Sequence, residues 1–263
     1  MKKVLKTMTA LSFALALTVT GLHSAQAKTL LGDYLSEKDI DVSVSATMDY
    51  YSKYVWRGML LDDDNVLQPG LEVSVGGLTA GFWASWDIES EDGLNSDEVD
   101  GYLDYTFDLG ALGNGLEMVS MSVGHTWYTF PEADLNAQEY YAGLSFDTFL
   151  SPSVTWYHDY SDEGSGGADG DYIIGSVGYS VPLSEEYGIS LDLAEEVGYN
   201  DGYFIAGEGG YSLSSVGLSL PLKEGLDMGL TAAYSVPFGD LEDDDDGNHD
   251  NEFYYGVSLA FSF

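Results

Sequence analysis

The sequence has no cysteine in 263 residues, which excludes a disulfide framework, zinc sites with cysteine ligands and thiol nucleophiles. Basic residues are scarce as well, with 8 Lys and Arg against 45 Asp and Glu and a formal net charge of −37. Phosphate recognition needs a basic surface, so this balance excludes the usual modes of nucleic-acid binding. Disorder is not indicated, because 14% of the residues are aromatic and 44% are hydrophobic.

A long hydrophobic run is also missing, since no segment reaches the roughly 20 apolar residues of a transmembrane helix. The apolar run over residues 10–22 follows three lysines and precedes the small-residue motif Ala25-Gln26-Ala27. This arrangement predicts a cleaved signal peptide over residues 1–27 and hence an exported protein. Its removal would leave five basic and 45 acidic residues, for a formal charge of −40.

Residues 28–40 form a short segment that we expect on the periplasmic side. Leu30, Leu31 and Leu35 recur there at helical spacing. A short helix, a plug inside the lumen and a free terminus are all compatible with this segment.

From residue 41 to the C-terminal Phe263, apolar and polar residues alternate with period two. Val42, Val44 and Ala46, for example, are separated by serines. Repeated to the end of the chain, this pattern predicts about twelve strands, with ten or fourteen as alternatives. The alternation changes phase at Ser214-Ser215, which predicts a β-bulge.

The connections between these strands are short and long in strict turn. Gly76-Gly77 is a short one, whereas Met59–Val66 and Phe238–Asn251 are long and acidic. An even strand number with short periplasmic turns and longer external loops is typical of a transmembrane antiparallel up-and-down β-barrel, which we predict for residues 41–263. A soluble β-sandwich is the alternative, but serine, threonine, glycine, tyrosine and acids in the second phase suit a water-filled lumen better than a dry core.

Aromatic residues of the outward phase concentrate near strand ends, as expected for two membrane girdles. The loop-side set is Trp56, Trp86, Trp127, Tyr140, Trp156 and Tyr199, and the turn-side set is Tyr105, Phe107, Phe146, Tyr179, Phe261 and Phe263. The last strand, with Tyr255, Val257, Leu259, Phe261 and Phe263 in one phase, resembles the signal read by the outer-membrane barrel assembly machinery. These features predict the outer membrane of a Gram-negative bacterium, with membrane lipid, lipopolysaccharide and the assembly machinery as partners.

Three segments near the N-terminus carry a family resemblance. They are Tyr54-Val55-Trp56-Arg57-Gly58, Gln68-Pro69-Gly70-Leu71 and Ala80-Gly81-Phe82-Trp83-Ala84-Ser85. Together they resemble the N-terminal signature of the TorF-like putative porins of proteobacteria. The resemblance implies a pore-like outer-membrane protein of unassigned substrate, and it supplies no catalytic residues.

The inward phase is rich in carboxylates, which attract cations and repel anions when they surround a pore. The pore-lining candidates are Asp49, Lys53, Arg57, Glu72, Asp87, Glu89, Asp100, Asp104, Asp108, Glu139, Asp192, Glu196 and Asp227. The sequence thus predicts a narrow, passive channel for small solutes that prefers cations. A structural or surface-interaction barrel is the alternative.

Two residues leave open questions. Arg57, the only arginine, falls in the lumen phase of the first predicted strand. It is either a constriction charge that selects solutes or a structural ion pair offsetting acids such as Asp49, Asp87 or Glu89. Glu195 is the one acid whose phase points outward within a predicted strand, which implies either a local bulge or an interface.

No metal site, cofactor or catalytic group is predicted. Glu242–Gly247 resembles the start of a calcium loop, but Phe253 occupies the position where a bidentate glutamate is required. Loose cation binding by the acidic loops, bridging lipopolysaccharide phosphates, is a separate expectation. His125 and His158 fall in the outward phase, and His249 beside Asp250 lacks a nucleophile at diagnostic spacing, so we predict no enzyme activity.

Overall fold

The computed structural model describes residues 42–89, 98–131, 133–161, 169–203, 208–242 and 250–263. The predicted signal peptide, the segment 28–40 and His249 lie outside the described residues. Within the described part of the chain, no helix is long and apolar enough to cross a membrane.

Fourteen strands are present in the described residues. They are β1 (Val42–Tyr51), β2 (Tyr54–Trp56), β3 (Met59–Asp62), β4 (Val66–Val75), β5 (Leu78–Asp87), β6 (Glu98–Asp108), β7 (Val119–Phe130), β8 (Leu135–Phe146), β9 (Ser153–Asp159), β10 (Asp171–Ser184), β11 (Ile189–Asp201), β12 (Glu208–Lys223), β13 (Leu226–Gly239) and β14 (Glu252–Ser262). A short 3₁₀ helix, Leu109–Leu112, follows β6.

Twelve of these strands close into one antiparallel barrel, in the order β1, β14, β13 and so on down to β4. Strand β1 closes the ring because it pairs with β14 on one side, where Tyr50 faces Val257, and with β4 on the other, where Tyr50 faces Leu67. Every strand pairs with its successor in the barrel, so the topology is up-and-down and the predicted strand number is confirmed. Closure leaves no edge strand with unpaired backbone groups.

The register separates the barrel strands into two chemically different faces. On β6, Leu103 and Tyr105 share one face, while Asp100, Tyr102 and Asp104 share the other. The first face carries exposed large hydrophobic side chains all around the ring, including Met48, Leu71, Phe82, Leu103, Val123, Ile173, Val216 and Leu230. The second face is polar and encloses the lumen, as the alternation of the sequence predicts.

The prediction of a β-bulge at Ser214-Ser215 is wrong. Strand β12 keeps one register through these residues with both β11 and β13, and its only irregularity lies between Pro221 and Lys223. The backbone is regular at this point. What changes is the side chains, because an apolar residue faces inward and a polar one faces outward. Leu213 points inward against an apolar cluster inside the barrel, whereas Ser214 points outward and donates to Glu195 at 2.6 Å.

Candidate functional site

Strands β2 and β3 form a separate two-stranded hairpin between β1 and β4. Trp56 pairs with Met59, so Arg57 and Gly58 are the two turn residues. Their φ angles are +49° and +85°. Two successive positive φ values are typical of the two-residue turns that suit the twist of a β-hairpin. A non-glycine residue such as Arg57 adopts this conformation at an energetic cost, so surrounding contacts must hold it.

The hairpin crosses the lumen from one wall to the opposite one. It begins beside β1 and β4, and its tip contacts side chains of β8, β9 and β10. Strand β9 is the sixth from β1 in either direction around the ring, and is therefore diametrically opposite. There the Arg57 guanidinium lies over the ring of Tyr157, and the hydroxyl of Tyr172 donates to the carbonyl oxygen of Arg57 at 3.2 Å.

A bidentate ion pair fastens the tip. Nη1 and Nη2 of Arg57 donate to the two carboxylate oxygens of Glu139 on β8, at 3.0 and 3.2 Å. The hydroxyls of Tyr128, at 2.7 Å, and of Tyr203 also donate to this carboxylate. The side chains of Arg57 and Glu139 are only 7% and 2% exposed. Such a buried pair is stable only when its remaining oxygens and protons are satisfied, as they are here.

Aromatic rings complete the enclosure of the guanidinium. Its carbon lies 4.0 Å from the ring centre of Tyr157 and 4.4 Å from that of Trp56, with Tyr203 and Tyr172 slightly further away. Burial lowers the pKa of Arg57, but the surrounding tyrosine and glutamate oxygens reverse this effect and raise the pKa above its usual value. Burial also raises the pKa of Tyr203, so its hydroxyl stays a donor. The guanidinium is therefore a charged anchor shielded from the open lumen.

Gly58 brings the tip against a second wall. A Cβ atom built on Gly58 would lie 2.6 Å from Cβ of Tyr211 on β12 and 3.0 Å from a methyl carbon of Leu241. Only glycine therefore fits at this position, for conformation and for space. Tyr211, Leu241 and Met59 belong to one buried apolar cluster, which packs the hairpin against this side of the barrel.

A cavity lies on each side of the hairpin. The larger one, of about 460 Å³, faces β5 to β7, and its lining is Tyr54, Leu61, Asp62, Ser85, Asp87, Glu98 and Phe130. The smaller one, of about 300 Å³, faces β9 to β14, and its lining includes Trp56, Tyr157, Glu196, Tyr211, Ser235 and Tyr254. The hairpin therefore splits the lumen into two narrow spaces with different walls.

The register places most of the predicted pore-lining acids on the inward face. These are Asp49, Glu72, Asp87, Asp100, Asp104, Asp108, Glu139, Asp192, Glu196 and Asp227. Glu89 lies in an exposed bend after β5. Lys53 follows β1 and forms an ion pair with Glu252 at 2.7 Å. That these residues line a conducting pore stays a prediction.

Many inward carboxylates accept hydrogen bonds from tyrosine hydroxyls. Tyr102 donates to Glu72 at 2.5 Å, Tyr141 to Asp104 at 3.0 Å and Tyr54 to Glu98 at 2.9 Å, and Tyr211 donates to Glu196. A tyrosine hydroxyl solvates a carboxylate without cancelling its charge. These hydrogen bonds therefore hold the carboxyl groups in place and bring no positive charge to the inward face.

Two expectations for the first strand are corrected. Strand β1 ends at Tyr51, so Arg57 is on the hairpin and not on that strand, and its partner is Glu139 and not Asp49, Asp87 or Glu89. Trp56 packs inside the barrel against Tyr128 and Tyr203 and does not belong to an outer girdle. The cause is the same in both cases, because the alternation continues across the bend at residues 52–53 although the chain has left the barrel wall.

Several important inward residues are absent from the sequence-based set. Glu98 could have been found, because it shares the phase of Asp100, two residues further along β6. Tyr203 carries no such signal, since it lies in the loop after β11 and reaches Glu139 only through the folded structure.

Glu195 faces outward from a regular part of β11. Its pairs with Val177 on β10 and Ser214 on β12 belong to uninterrupted registers, so no bulge is present and the side chain faces outward. Glu195 lies at the middle of its strand. The other outward acids of the described strands, Asp171, Asp201 and Glu208, lie at strand ends on the loop side.

The acidic turn and the histidines offer little chemistry. The carboxylates of Asp62, Asp63 and Asp64 lie within 4.8 Å of one another, although their spacing resembles no ligand motif. A turn in which the Asp64 backbone N–H donates to Asp62 accounts for this exposed cluster. His125 and His158 lie on the outward face, where they are hydrogen-bonded to the Tyr160 hydroxyl and the Asp171 carboxylate.

Comparison with known families decides the classification. Residues 36–240, most of the chain, match the family described as "Bacterial protein of unknown function (Gcw_chp)". The chain belongs to this Gcw_chp family. No curated protein sequence matches the chain.

Solved structures with the same fold are outer-membrane channels. An outer-membrane channel from Pseudomonas putida F1 superposes with a TM-score of 0.51 and 10% identity, over 84% of this chain and 95% of that one. The KdgM porin, solved in complex with disordered oligogalacturonate, gives a TM-score of 0.50 and 11% identity, over 84% and 99% of the two chains. At such identities the likeness concerns the fold alone. This Gcw_chp chain has the fold of an outer-membrane porin barrel.

We expect Glu139→Gln to lower the free energy of unfolding by about 3–5 kcal/mol, because it leaves the buried Arg57 charge without a counter-ion. Urea titration of the refolded barrel measures the change. Glu72→Gln, which neutralises a more accessible inward carboxylate, is the matched control and should cost much less. Equal effects of the two variants would contradict the anchoring role of Glu139.

Gly58→Ala should release the hairpin, because it adds both backbone strain and a clash with Tyr211. Trypsin cleaves after Arg57, so the rate of cleavage at this bond reports release, and we expect about a tenfold rise. Gly76→Ala is the control, since Gly76 also has a positive φ, of +60°, but no atom within 4 Å of the added Cβ. An unchanged cleavage rate in Gly58→Ala would show that the tip is not tightly docked.

Proposed function

We propose that this protein is a channel of the outer membrane of a Gram-negative bacterium, through which small solutes diffuse passively with a preference for cations. The resemblance to the TorF-like putative porins agrees with this assignment. The exposed hydrophobic outer face and the porin-type fold support the membrane location. Inward carboxylates that accept from tyrosine hydroxyls and form no ion pair among the described residues, such as Glu72 and Asp104, carry the preference for cations.

The distribution of positive charge strengthens the argument. Lys53 and Arg57 are the basic residues on the lumen side of the described chain, and each is paired with a carboxylate, Glu252 and Glu139 respectively. Neither offers a free cation to an anionic solute. Carboxylates in a cleft with low-dielectric walls focus the field and raise the local concentration of cations. The proposed channel therefore rejects anions, and its hairpin restricts passage to small solutes.

The remaining expectations about partners follow from the same proposal. The outward residues Tyr255, Val257, Leu259 and Phe261 share one face of β14, which is the arrangement we assign to recognition by the assembly machinery. The exposed acidic turn at Asp62–Asp64 and the other acidic loops would meet lipopolysaccharide phosphates through divalent ions. Solutes would cross the barrel by passive diffusion, and we propose no catalytic step.

Planar bilayers containing the refolded protein test the channel function. We expect a conductance whose reversal potential in a KCl gradient indicates preference for K⁺ over Cl⁻. The preference should weaken between about 0.1 and 1 M salt, because the Debye length falls from about 10 to 3 Å. Absence of conductance would favour a structural barrel, and a reversal potential of the opposite sign would refute the cation preference.

Glu195 tests the placement of the outer face in lipid. A charge facing hydrocarbon near the membrane centre destabilises a barrel, so Glu195→Gln should raise the free energy of unfolding in lipid vesicles by about 1 kcal/mol. The amide still accepts the hydrogen bond from Ser214, which isolates the effect of charge. Glu72→Gln, on the inward face, should give no such gain. A loss of stability in Glu195→Gln would place this side chain away from lipid.

A further inference from the structure

The smaller lumen cavity, between the hairpin tip and strands β9 to β14, has features of a binding site. Its volume of about 300 Å³ is at the lower end of the range for small-molecule pockets. The hairpin provides one wall, and six barrel strands provide the other. Any solute that passes on this side of the hairpin must meet these residues.

The cavity contains one carboxylate without a cationic partner among the described residues. Glu196 projects inward from β11 and accepts a hydrogen bond from the hydroxyl of Tyr211. No Lys, Arg or His of the described chain forms an ion pair with it. A half-buried carboxylate in this state favours the arrival of a positive charge.

An unsatisfied hydroxyl lines the same cavity. Ser235 on β13 is fully buried, at 0% exposure, and its Oγ has no hydrogen-bond partner. Buried polar groups in folded proteins nearly always have partners, so an orphan on a cavity wall indicates a group that arrives from outside the chain. A hydroxyl oxygen can accept a hydrogen bond from an N–H donor that enters this cavity.

Aromatic side chains supply the rest of the lining. Tyr211 and Tyr254 face the cavity, in addition to Trp56 and Tyr157, which already contact the Arg57 guanidinium. Aromatic faces attract organic cations through their electron-rich surfaces and cover the apolar parts of such molecules. They offer little to a bare metal ion, which requires six or more oxygen ligands in the case of calcium.

Arg57 also lines the cavity but does not reverse its charge. Both terminal nitrogens of its guanidinium are bonded to Glu139, so the two charges offset each other. The net charge of the Arg57, Glu139 and Glu196 group is therefore negative. An anionic solute would meet the Glu196 carboxylate without gaining a free guanidinium.

We propose that this cavity binds a small organic ammonium ion, whose charged nitrogen contacts Glu196 and Ser235 and whose carbon atoms pack against Tyr211 and Tyr254. The site deepens the proposed channel function, on which its physiological role rests, by naming the class of solute that the narrow passage selects. The Tyr211 hydroxyl holds the carboxylate in place, and the Arg57 anchor holds the opposite wall.

Isothermal titration of the full refolded chain in detergent micelles tests this site with n-butylammonium as the probe. n-Butanol has nearly the same shape without the charge and should bind at least tenfold more weakly. Glu196→Gln should weaken n-butylammonium binding about tenfold, and Ser235→Ala should weaken it a few-fold. Glu195→Gln, which makes the same change one residue away on the outward face, is the control and should leave the affinity unchanged.

Three results would overturn the site. If Glu196→Gln and the unaltered protein bind n-butylammonium equally well, the Glu196 carboxylate is not part of the binding site. Equal binding of n-butanol would make it a simple apolar pocket, and tighter binding of n-butyrate would make it an anion site. A far-UV circular dichroism spectrum confirms that each variant is folded.

The binding experiment is independent of conduction. If the barrel conducts K⁺ but does not bind n-butylammonium, the channel function is supported and the binding site is refuted. If the barrel binds n-butylammonium through Glu196 but does not conduct, the binding site is supported and the channel function is refuted.

Discussion

The ion pair between Arg57 and Glu139 determines the shape of the lumen. Without it, the β2–β3 hairpin would keep the hydrogen bond from Tyr172 on the far wall but lose its charged anchor, and a positive-φ arginine would have little to compensate its backbone strain. With it, a nine-residue hairpin spans the barrel, and an ion pair, several tyrosine hydroxyls and three aromatic rings of the surrounding chain hold its tip. The wide interior of a twelve-stranded barrel thereby becomes two narrow spaces.

The chemistry of the barrel wall follows from what the hairpin requires. Tyrosines occupy the inward face where it approaches, because their rings pack against the hairpin and their hydroxyls reach the acids behind it. Glycines occupy positions where a side chain would collide with these rings, as Gly58 does opposite Tyr211. Leu213 points into the lumen for the same reason, since it packs against the apolar cluster of the hairpin.

The barrel itself was predictable, because a two-residue period over a closed ring is a strong and repeated signal. Turn positions such as Gly76-Gly77 and the inward phase of acids such as Asp100 and Asp104 followed directly from it. The hairpin was not predictable in this way. Its residues Tyr54 and Trp56 continue the alternation, Met59 begins what the sequence predicts as a long loop, and nothing local indicates that the chain has turned into the lumen. The contact between Tyr203 and Glu139 is also non-local and has no signature in either segment.

The geometry of the hairpin shows which of the acidic residues are paired with cations. A buried Arg–Glu pair neutralises one carboxylate, and the Lys53–Glu252 pair neutralises a second. Other inward carboxylates, such as Glu72, Asp104 and Asp192, accept hydrogen bonds from tyrosine and serine hydroxyls, which add no positive charge. Because the two cations near the hairpin are already paired with carboxylates, they do not offset the other inward acids. In the proposed channel, the arginine that narrows the lumen therefore does so without attracting anions, and the proposed size restriction and cation preference would both arise from one contact.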